Sequence, residues 1–383
     1  MDLSYRFTKN SGVKPVNDQP TDSRPQDLRV LGWSPFFKEH FQQLNIPDTV
    51  PARVISESKD LFQVQGAGGV LAAAIAGRMR HRLKAEGLYP AAGDWVVIKP
   101  LAGEKKAVIQ AVLPRKSKFS RKAAGERTVE QIVAANVDTV FIVSGLDGGR
   151  SFNLRRLERY LTLAWSSGAA PVMVLNKADV CPGVENFIRE VEAIAPGVPV
   201  HAVSARERAG LEALAPYLTE GSTVAFLGSS GVGKSALINA LLGHERQQTG
   251  AVRSDDRLGR HTTTMRQLLL LPAGGIVIDT PGMREIQMWA GEDDLHGTFS
   301  DVEMYARECR YADCGHDGEP GCAVRAAIDQ GELDPARLAS YRKLGNEIHY
   351  LAAREAQCAR CYEKEKWRPI AKLVKEINRS RLE

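Results

Sequence analysis

Apolar and polar positions alternate along this chain at two different rhythms. From Pro51 to Leu113 the apolar residues come in short runs broken by glycine: Ala52–Glu57, Leu61–Gln65, Leu71–Ile75, Trp95–Pro100 and Ala107–Val112, with Gly66, Gly68, Gly69 and Gly93-Asp94 between them. Five short strands at this spacing predict a small β-barrel of the OB type; the bland reading is a β-domain acting as a spacer. From Val137 the texture changes. Val137–Val143, Pro171–Leu175, Val198–Val203, Thr223–Leu227, Gln267–Leu271 and Gly275–Asp279 are apolar enough to be buried on both faces. Helical periods lie between them, as in Leu154–Trp165 and Ala236–Leu242, which predicts an α/β domain with a mostly parallel sheet. Pro272-Ala-Gly-Gly is placed to close a hairpin between the last two strands.

The flanks differ again. Residues 1 to about 28 are polar and carry Pro15, Pro20 and Pro25, and read as a disordered arm. Leu31–Leu44 reads as a short amphipathic helix, with Ser34 as cap and Pro35 at its first position. Lys116–Gln131 reads as a basic linker. After Gly291 the chain becomes cysteine-bearing, then helical and charged from about Pro335. The expected division is an arm and helix over 1–50, a barrel over 51–118, an α/β domain over 119–290 and a C-terminal domain over 291–383.

Composition narrows this little. Apolar content of 43% and charged content of 25% are those of a soluble globular protein. No run reaches membrane-spanning length, and the N-terminus lacks the apolar core of a secretory signal, so a cytoplasmic protein with no membrane partner is expected. The net charge of +5 is mildly basic. Its distribution says more: Arg78–Lys84, Arg115–Lys122 and Lys364–Arg381 are basic runs, each an ordinary solvated face alone but together suggestive of RNA. Five of the six cysteines lie in the last quarter of the chain. In a cytosolic setting such clustering points to metal rather than disulfides.

The motif of greatest consequence is Gly228-Ser229-Ser230-Gly231-Val232-Gly233-Lys234-Ser235, which fits G-x-x-x-x-G-K-S. A strand precedes it and a helix beginning near Ala236 follows. Glycines let successive N–H groups converge on a phosphate chain, and the helix N-terminus adds positive potential. Lys234 is expected on the β- and γ-phosphates and Ser235 on Mg²⁺. Asp279-Thr280-Pro281-Gly282 follows the last strand. Its carboxylate suits a site near Mg²⁺ and the Gly282 N–H suits a γ-phosphate, although an isolated D-T-P-G is also a plain turn. Asn176-Lys177-Ala178-Asp179 ends another strand. Asp179 matches the two donors of guanine and leaves adenine mispaired, while a lone N-K-x-D is also a capped helix start. Ser204-Ala205, after the next strand, offers a backbone N–H to the guanine O6.

Together these four motifs are the fingerprint of a Ras-like GTPase, in an unusual order. The guanine motifs Asn176–Asp179 and Ser204-Ala205 come first, and the phosphate loop and D-T-P-G follow: a circular permutation. With the permutation, the barrel before it and the cysteine spacing after it, residues from about 50 to 370 resemble the circularly permuted GTPase family RsgA (also called YjeQ or EngC). That resemblance implies a GTPase using GTP, Mg²⁺ and one structural Zn²⁺. It also implies a role in small-ribosomal-subunit biogenesis, with the subunit and its rRNA as partners, and a monomer is expected.

Two further sets complete the expectation. Gly259-Arg-His-Thr262-Thr263-Thr264 occupies the position of switch I, with Thr263 favoured for Mg²⁺. Ras-like enzymes commonly place a glutamine after D-x-x-G to orient water; here that residue is Met283, which leaves His261 as the candidate. The resemblance points to the same histidine. Cys309-x4-Cys314-x-His316-x5-Cys322 supplies three thiolates and an imidazole, a closed tetrahedral set for structural Zn²⁺. Cys358 and Cys361 read as an i, i+3 helix pair outside this set, and Cys181 as a packed thiol. Permutation also puts D-T-P-G directly before the cysteine domain, so nucleotide-dependent motion is expected to reach that domain through Met283–Gly291.

Overall fold

In a computed structural model the described residues are 27–58, 61–122, 130–148, 151–244, 267–279 and 292–353. A 3₁₀ turn, Leu28–Leu31, leads into α1, Pro35–Leu44. The helix is therefore shorter than the expected Leu31–Leu44. Gly32 takes a left-handed conformation and ends the 3₁₀ turn before the helix starts. Pro35 holds the first position, but Ser34 makes no side-chain cap. Leu31, Phe37, Trp95, Val97 and Leu113 form the small core that seats this segment on the barrel.

The barrel strands are β1 (Val50–Ser58), β2 (Leu61–Gly66), β3 (Gly69–Ile75), β4 (Trp95–Pro100) and β5 (Lys106–Val112). They close in the order β1-β2-β3-β5-β4-β1, with β3 and β5 parallel and the other neighbours antiparallel. Alternate positions of β2 point inward, as a half-buried strand requires. Val54, Phe62, Val64, Val96, Ile98 and Ile109 fill the interior. The basic run around Arg80 is a helix, α2 (Gly77–Ala85), between β3 and β4. Met79 and Leu83, four residues apart, pack it onto the barrel core.

The expected linker at Lys116–Gln131 is instead a hairpin. Strands β6 (Lys118–Lys122) and β7 (Glu130–Ala135) pair antiparallel as a separate two-stranded sheet. The basic composition of β6, whose one large apolar residue is Phe119, hid it, while Ile132, Val133, Ala134 and Ala135 of β7 are all buried.

The α/β part contains β8 (Thr139–Gly145), α3 (Leu154–Ser167), β9 (Ala170–Asn176), α4 (Val184–Ile194), β10 (Val200–Val203), β11 (Thr223–Leu227), α5 (Lys234–Leu242), β12 (Gln267–Leu270) and β13 (Ile276–Asp279). The order across the sheet is β10-β9-β8-β11-β13-β12. The first five run parallel, and β12 lies antiparallel on β13 through the expected hairpin. Every residue of β8 and β11 is buried, as central strands covered on both faces must be. One pairing, Ser56 with Gln267, joins β1 to β12 and so the barrel to this sheet.

A single buried cation joins the same two parts. Arg53 of β1 is 1% exposed. It donates to the carbonyls of Gly93 (3.1 Å), Leu31 (2.5 Å) and Asn136 (3.1 Å), and to Thr223 Oγ1 at the start of β11 (2.9 Å). Burial pushes this guanidinium down to about 10, against the pull of Asp138 and Asp94. Arg53 thus fastens the barrel at the N-terminal ends of the parallel strands, while the Ser56–Gln267 pairing touches β12 opposite Asp279, at the C-terminal end of β13.

The C-terminal part holds α6 (Glu292–Thr298), α7 (Ser300–Ala306), α8 (Ala323–Asp329) and α9, described over 335–353. Leu295, Phe299, Val302 and Leu338 share one buried cluster with Leu157 and Leu161 of α3. Around that cluster α3 offers a polar face at i, i+3, i+4 and i+7. Arg155 pairs with Glu158 and Asp334, and Arg159 with Glu347 (2.7 Å). Thr162 donates to Thr298 Oγ1 at 3.0 Å. Arg337, 3% exposed, reaches the fully buried Glu158 at 2.9 Å, both oxygens of Asp301 at 2.9 Å and the Thr298 carbonyl at 2.8 Å.

Candidate functional site

Parallel strands end together, so the polar residues that follow β8, β9, β10, β11 and β13 gather along one edge of the sheet. Gly228–Ser235 leaves β11 and enters α5. Gly228 has φ +152°, and a Cβ there would sit 2.4 Å from the Val143 carbonyl; Gly233 has φ +96°, with Asn176 Nδ2 2.2 Å from its would-be Cβ. Both positions require glycine, for conformation and for space. Ser230 and Gly231 face solvent while Val232 is buried, anchoring the loop to the core. Lys234 Nζ curls back to the Gly228 and Ser229 carbonyls, 2.7 Å from each, which centres its charge over the loop. Ser235 and Ala236 follow in the first turn of α5.

Asp279 ends β13 and is half-buried. Burial pushes its carboxyl above the usual range, and the Lys234 ammonium pulls it back. A cation at this edge would favour the ionised form further, so Ser235 and Asp279 fit a hard divalent ion bound to phosphates.

The second half of the edge is organised by Asn176, which is 2% exposed. Its Nδ2 donates to the Val232 carbonyl at 2.9 Å, and its Oδ1 accepts from the Ala205 N–H at 3.0 Å. One side chain therefore ties the phosphate loop, the N-K-A-D strand end and Ser204-Ala205 into a unit. Ser204 Oγ donates to Asp179 Oδ1 at 2.7 Å and accepts from the Glu207 N–H at 3.0 Å, which aims the carboxylate. Lys177 adopts φ +68°, a left-handed conformation that turns its side chain out of the strand. Ala178 starts the 3₁₀ turn Ala178–Val180. The edge offers a cradle of N–H groups and a lysine for phosphates, beside an aligned carboxylate and a buried amide for a planar base.

The structure adds a residue that the sequence reading did not single out. Asp147, two residues beyond β8, accepts from Lys177 Nζ at 2.5 Å. The available signal was its place: a polar residue after a buried strand, at the edge where the other motifs lie. His261, Thr262, Thr263, Thr264, Gly282 and Met283 lie outside the described residues, as do Cys358 and Cys361.

The cysteine cluster forms as one group. The ligand atoms of Cys309, Cys314, His316 and Cys322 all lie within 4.8 Å of one another. His316 Nδ1 is 3.6 Å from the sulfurs of Cys309 and Cys322, which are 4.0 Å apart. Tetrahedral Zn²⁺ with Zn–S of about 2.3 Å and Zn–N of about 2.0 Å needs edges of roughly 3.5–3.8 Å, so the set fits that ion. His316 takes φ +58° to turn its ring inward. Glu319 accepts from the Gly315 and Asp317 N–H groups (2.9 and 2.6 Å) and holds the loop. The Arg325 N–H points at Cys322 Sγ (3.4 Å), a donor suited to a thiolate. Cys181 stands apart from this group, partly buried against the main core.

Among known proteins, the family model for the RsgA GTPase matches residues 112–289. A small ribosomal subunit biogenesis GTPase RsgA of Opitutus terrae is 48% identical over 90% of this chain and 95% of that protein. One from Syntrophotalea carbinolica is 43% identical over 92% of this chain and 98% of that protein. The crystal structure of YjeQ from Thermotoga maritima aligns with a TM-score of 0.59 and 29% identity, covering 78% of this chain and 98% of that one. YloQ, a circularly permuted GTPase, gives 0.57 at 22% identity over 80% of this chain and 96% of that one, a likeness of fold.

Proposed function

The chain belongs to the RsgA GTPase family, and on that premise we propose that it binds the small ribosomal subunit and hydrolyses GTP to GDP and phosphate during the subunit's late maturation. The observation that carries this reading is Asn176, whose amide ties the phosphate loop to the guanine motifs at one sheet edge. In the proposed site Gly228–Ala236 wraps the phosphates, Asp179 pairs with guanine, and Ser204-Ala205 flanks the base, with the Ala205 N–H engaged by Asn176 Oδ1. Lys234 neutralises charge that develops as the bond from the β–γ bridging oxygen to the γ-phosphorus breaks and water bonds to that phosphorus. The Gly282 N–H faces the γ-phosphate, and His261 orients the water in place of the missing glutamine. Mg²⁺, held by Ser235 and Thr263 with Asp279 nearby, neutralises the β- and γ-oxygens when bound.

Zn²⁺ on Cys309, Cys314, His316 and Cys322 is structural: all four positions are filled by protein. The barrel, with its basic α2, and the zinc module hold rRNA, through phosphate contacts that weaken as salt rises. The proposed units are the barrel over 51–118, the GTPase over 119–290 and the zinc module over 291–383, in a cytoplasmic monomer. Among the described residues no helix is long and apolar enough to cross a membrane.

The test is turnover of GTP and ATP by purified protein, with and without purified small subunits. Slow hydrolysis of GTP alone, strong stimulation by subunits, no response with ATP and loss of stimulation in His261→Ala are expected. Rapid unstimulated turnover that survives His261→Ala would contradict the assignment of that residue. Absence of stimulation, with tight GTP binding, would contradict the ribosomal partner.

A further inference from the structure

The loop between β8 and α3 touches the guanine motif at several points. The Leu146 N–H donates to the Asn176 carbonyl at 2.9 Å, and Ser144 Oγ donates to the Ser151 carbonyl at 3.1 Å. Gly148 makes the turn at φ +70°. Asp147 is thereby presented to Lys177, and their 2.5 Å ion pair leaves both side chains about two-thirds covered. Asp147 in turn receives a hydrogen bond from Ser151. Its carboxyl sits below the usual range, first because of the Lys177 hydrogen bond. Lysine has a flexible stem of four methylenes, and ordering it on ligand binding opposes affinity. A carboxylate that holds the ammonium in advance removes much of that penalty.

We propose that Asp147 is a positioning residue for guanine-nucleotide binding: it anchors the Lys177 ammonium so that the methylene stem stands ready as a wall against the face of the purine. The inference rests on the guanine-nucleotide reading above and adds to it a residue from outside the four motifs. Asp147 acts through Lys177, not on the base, so it raises affinity without choosing among purines that share the same face.

The test is equilibrium and stopped-flow binding of GDP to the full chain and its variants. Asp147→Asn, nearly isosteric, is expected to weaken GDP binding roughly three- to tenfold, mainly through faster release. Asp147→Glu, long enough to regain Lys177, is expected to recover most of that loss. Adding Asp147→Ala to Lys177→Ala is expected to change nothing further. The ratio of inosine diphosphate to GDP affinity is expected to stay that of the parent protein, a constancy that general loosening of the site would not give. Ser151→Ala removes one support of the carboxylate and leaves the loop backbone intact; a smaller loss of about twofold is expected, and it reads the same effect if Asp147→Asn folds poorly. The proposal is overturned if Asp147→Asn binds GDP as the parent does, or if the Asp147 and Lys177 effects add in full. Failure of the guanine-nucleotide reading itself is a separate result: the parent would bind ADP as tightly as GDP.

Discussion

Removing the Arg337 cation should release the zinc module from α3. The side chain is 3% exposed and holds two carboxylates at once, Glu158 on α3 and Asp301 on α7. Its guanidinium also lies 4.4 Å from the centre of the Phe299 ring. Burial alone would lower its affinity for the proton; Asp301 and Glu158 outweigh that and keep it charged. Arg337→Met keeps most of the apolar stem and removes the charge. Glu158, fully buried with Oε2 lacking any partner, is then left to Arg155 alone, which is about one-third exposed. Losing one partner of a buried pair costs about 3–5 kcal/mol. Asp301, 32% exposed, can regain water, so the lower end applies here, about 3 kcal/mol. Glu158→Gln keeps its shape and leaves Arg337 on Asp301, and about 1–2 kcal/mol is expected. The double variant should lose less than the sum, because both single changes break the same Arg337–Glu158 contact. A whole-protein unfolding energy is poorly defined for a chain of several parts, so the readout is local. Native-state hydrogen exchange across α6 and α7 should lose roughly two orders of magnitude of protection in Arg337→Met, at 1.36 kcal/mol per decade. Loss of less than tenfold, or full additivity in the double variant, would refute the reasoning.

Three other outcomes follow from the site. Gly233→Ala places a methyl carbon 2.2 Å from Asn176 Nδ2 at φ +96°, so it should abolish GDP binding measured by calorimetry, while a similar change at the open Gly197 turn should not. Asp279→Asn should raise the melting temperature of nucleotide-free protein at neutral pH and lower GTP turnover about 10- to 100-fold. Its folded pKa is raised by burial, so in the parent that carboxyl favours folding below the unfolded value and loses this contribution as pH rises through the folded value. The gain from Asp279→Asn should accordingly fade below about pH 4 in melting scans. Stripping the metal with a chelator, or Cys322→Ser, should remove one equivalent of zinc by elemental analysis and expose 307–322 to protease. GDP binding should survive, since the nucleotide edge lies on other elements.

Where the sequence was readable, the reason is local. Parallel strands buried on both faces leave uninterrupted apolar runs, so β8, β9 and β11 could be placed to within about three residues. The phosphate loop and the Cys₃His spacing are short-range patterns whose geometry is set by a few consecutive residues. What escaped detection depends on partners far along the chain. The β6–β7 pair was hidden by the basic residues of β6, whose Phe119 finds its neighbours in the main core. The α2 helix looked like a charge run because its apolar anchors, Met79 and Leu83, stand among five basic residues. Ser34 has the right place for a cap, yet its hydroxyl is buried without a partner. Asp147 lies 30 residues from Lys177, and its one signal, a polar residue after a buried strand, does not by itself name that partner.

The attachments of the two flanking parts explain why permutation suits this architecture. The barrel is fixed by Arg53 at the N-terminal ends of the strands, where it touches the start of β11 and the residue before Val137. The zinc module is fixed laterally, on α3, by Arg155, Glu158, Arg159 and Thr162. Neither Arg53 nor the α3 seam covers the C-terminal edge that carries Lys177, Asp179, Ser204 and Lys234, and the barrel meets that edge through Ser56 at Gln267, the partner of Asp279. The loop that opens α3 also carries Asp147, which grips Lys177. Helix α3 therefore has the guanine motif near one end and the zinc module along its flank. The module's seat on that helix is polar at Arg155, Glu158, Arg159 and Thr162, and parting a buried pair such as Glu158–Arg337 is costly. Glu158, fully buried and held by Arg155 and Arg337, is the polar centre of the module's seat on α3, so a change in that seating would have to part it from Arg337.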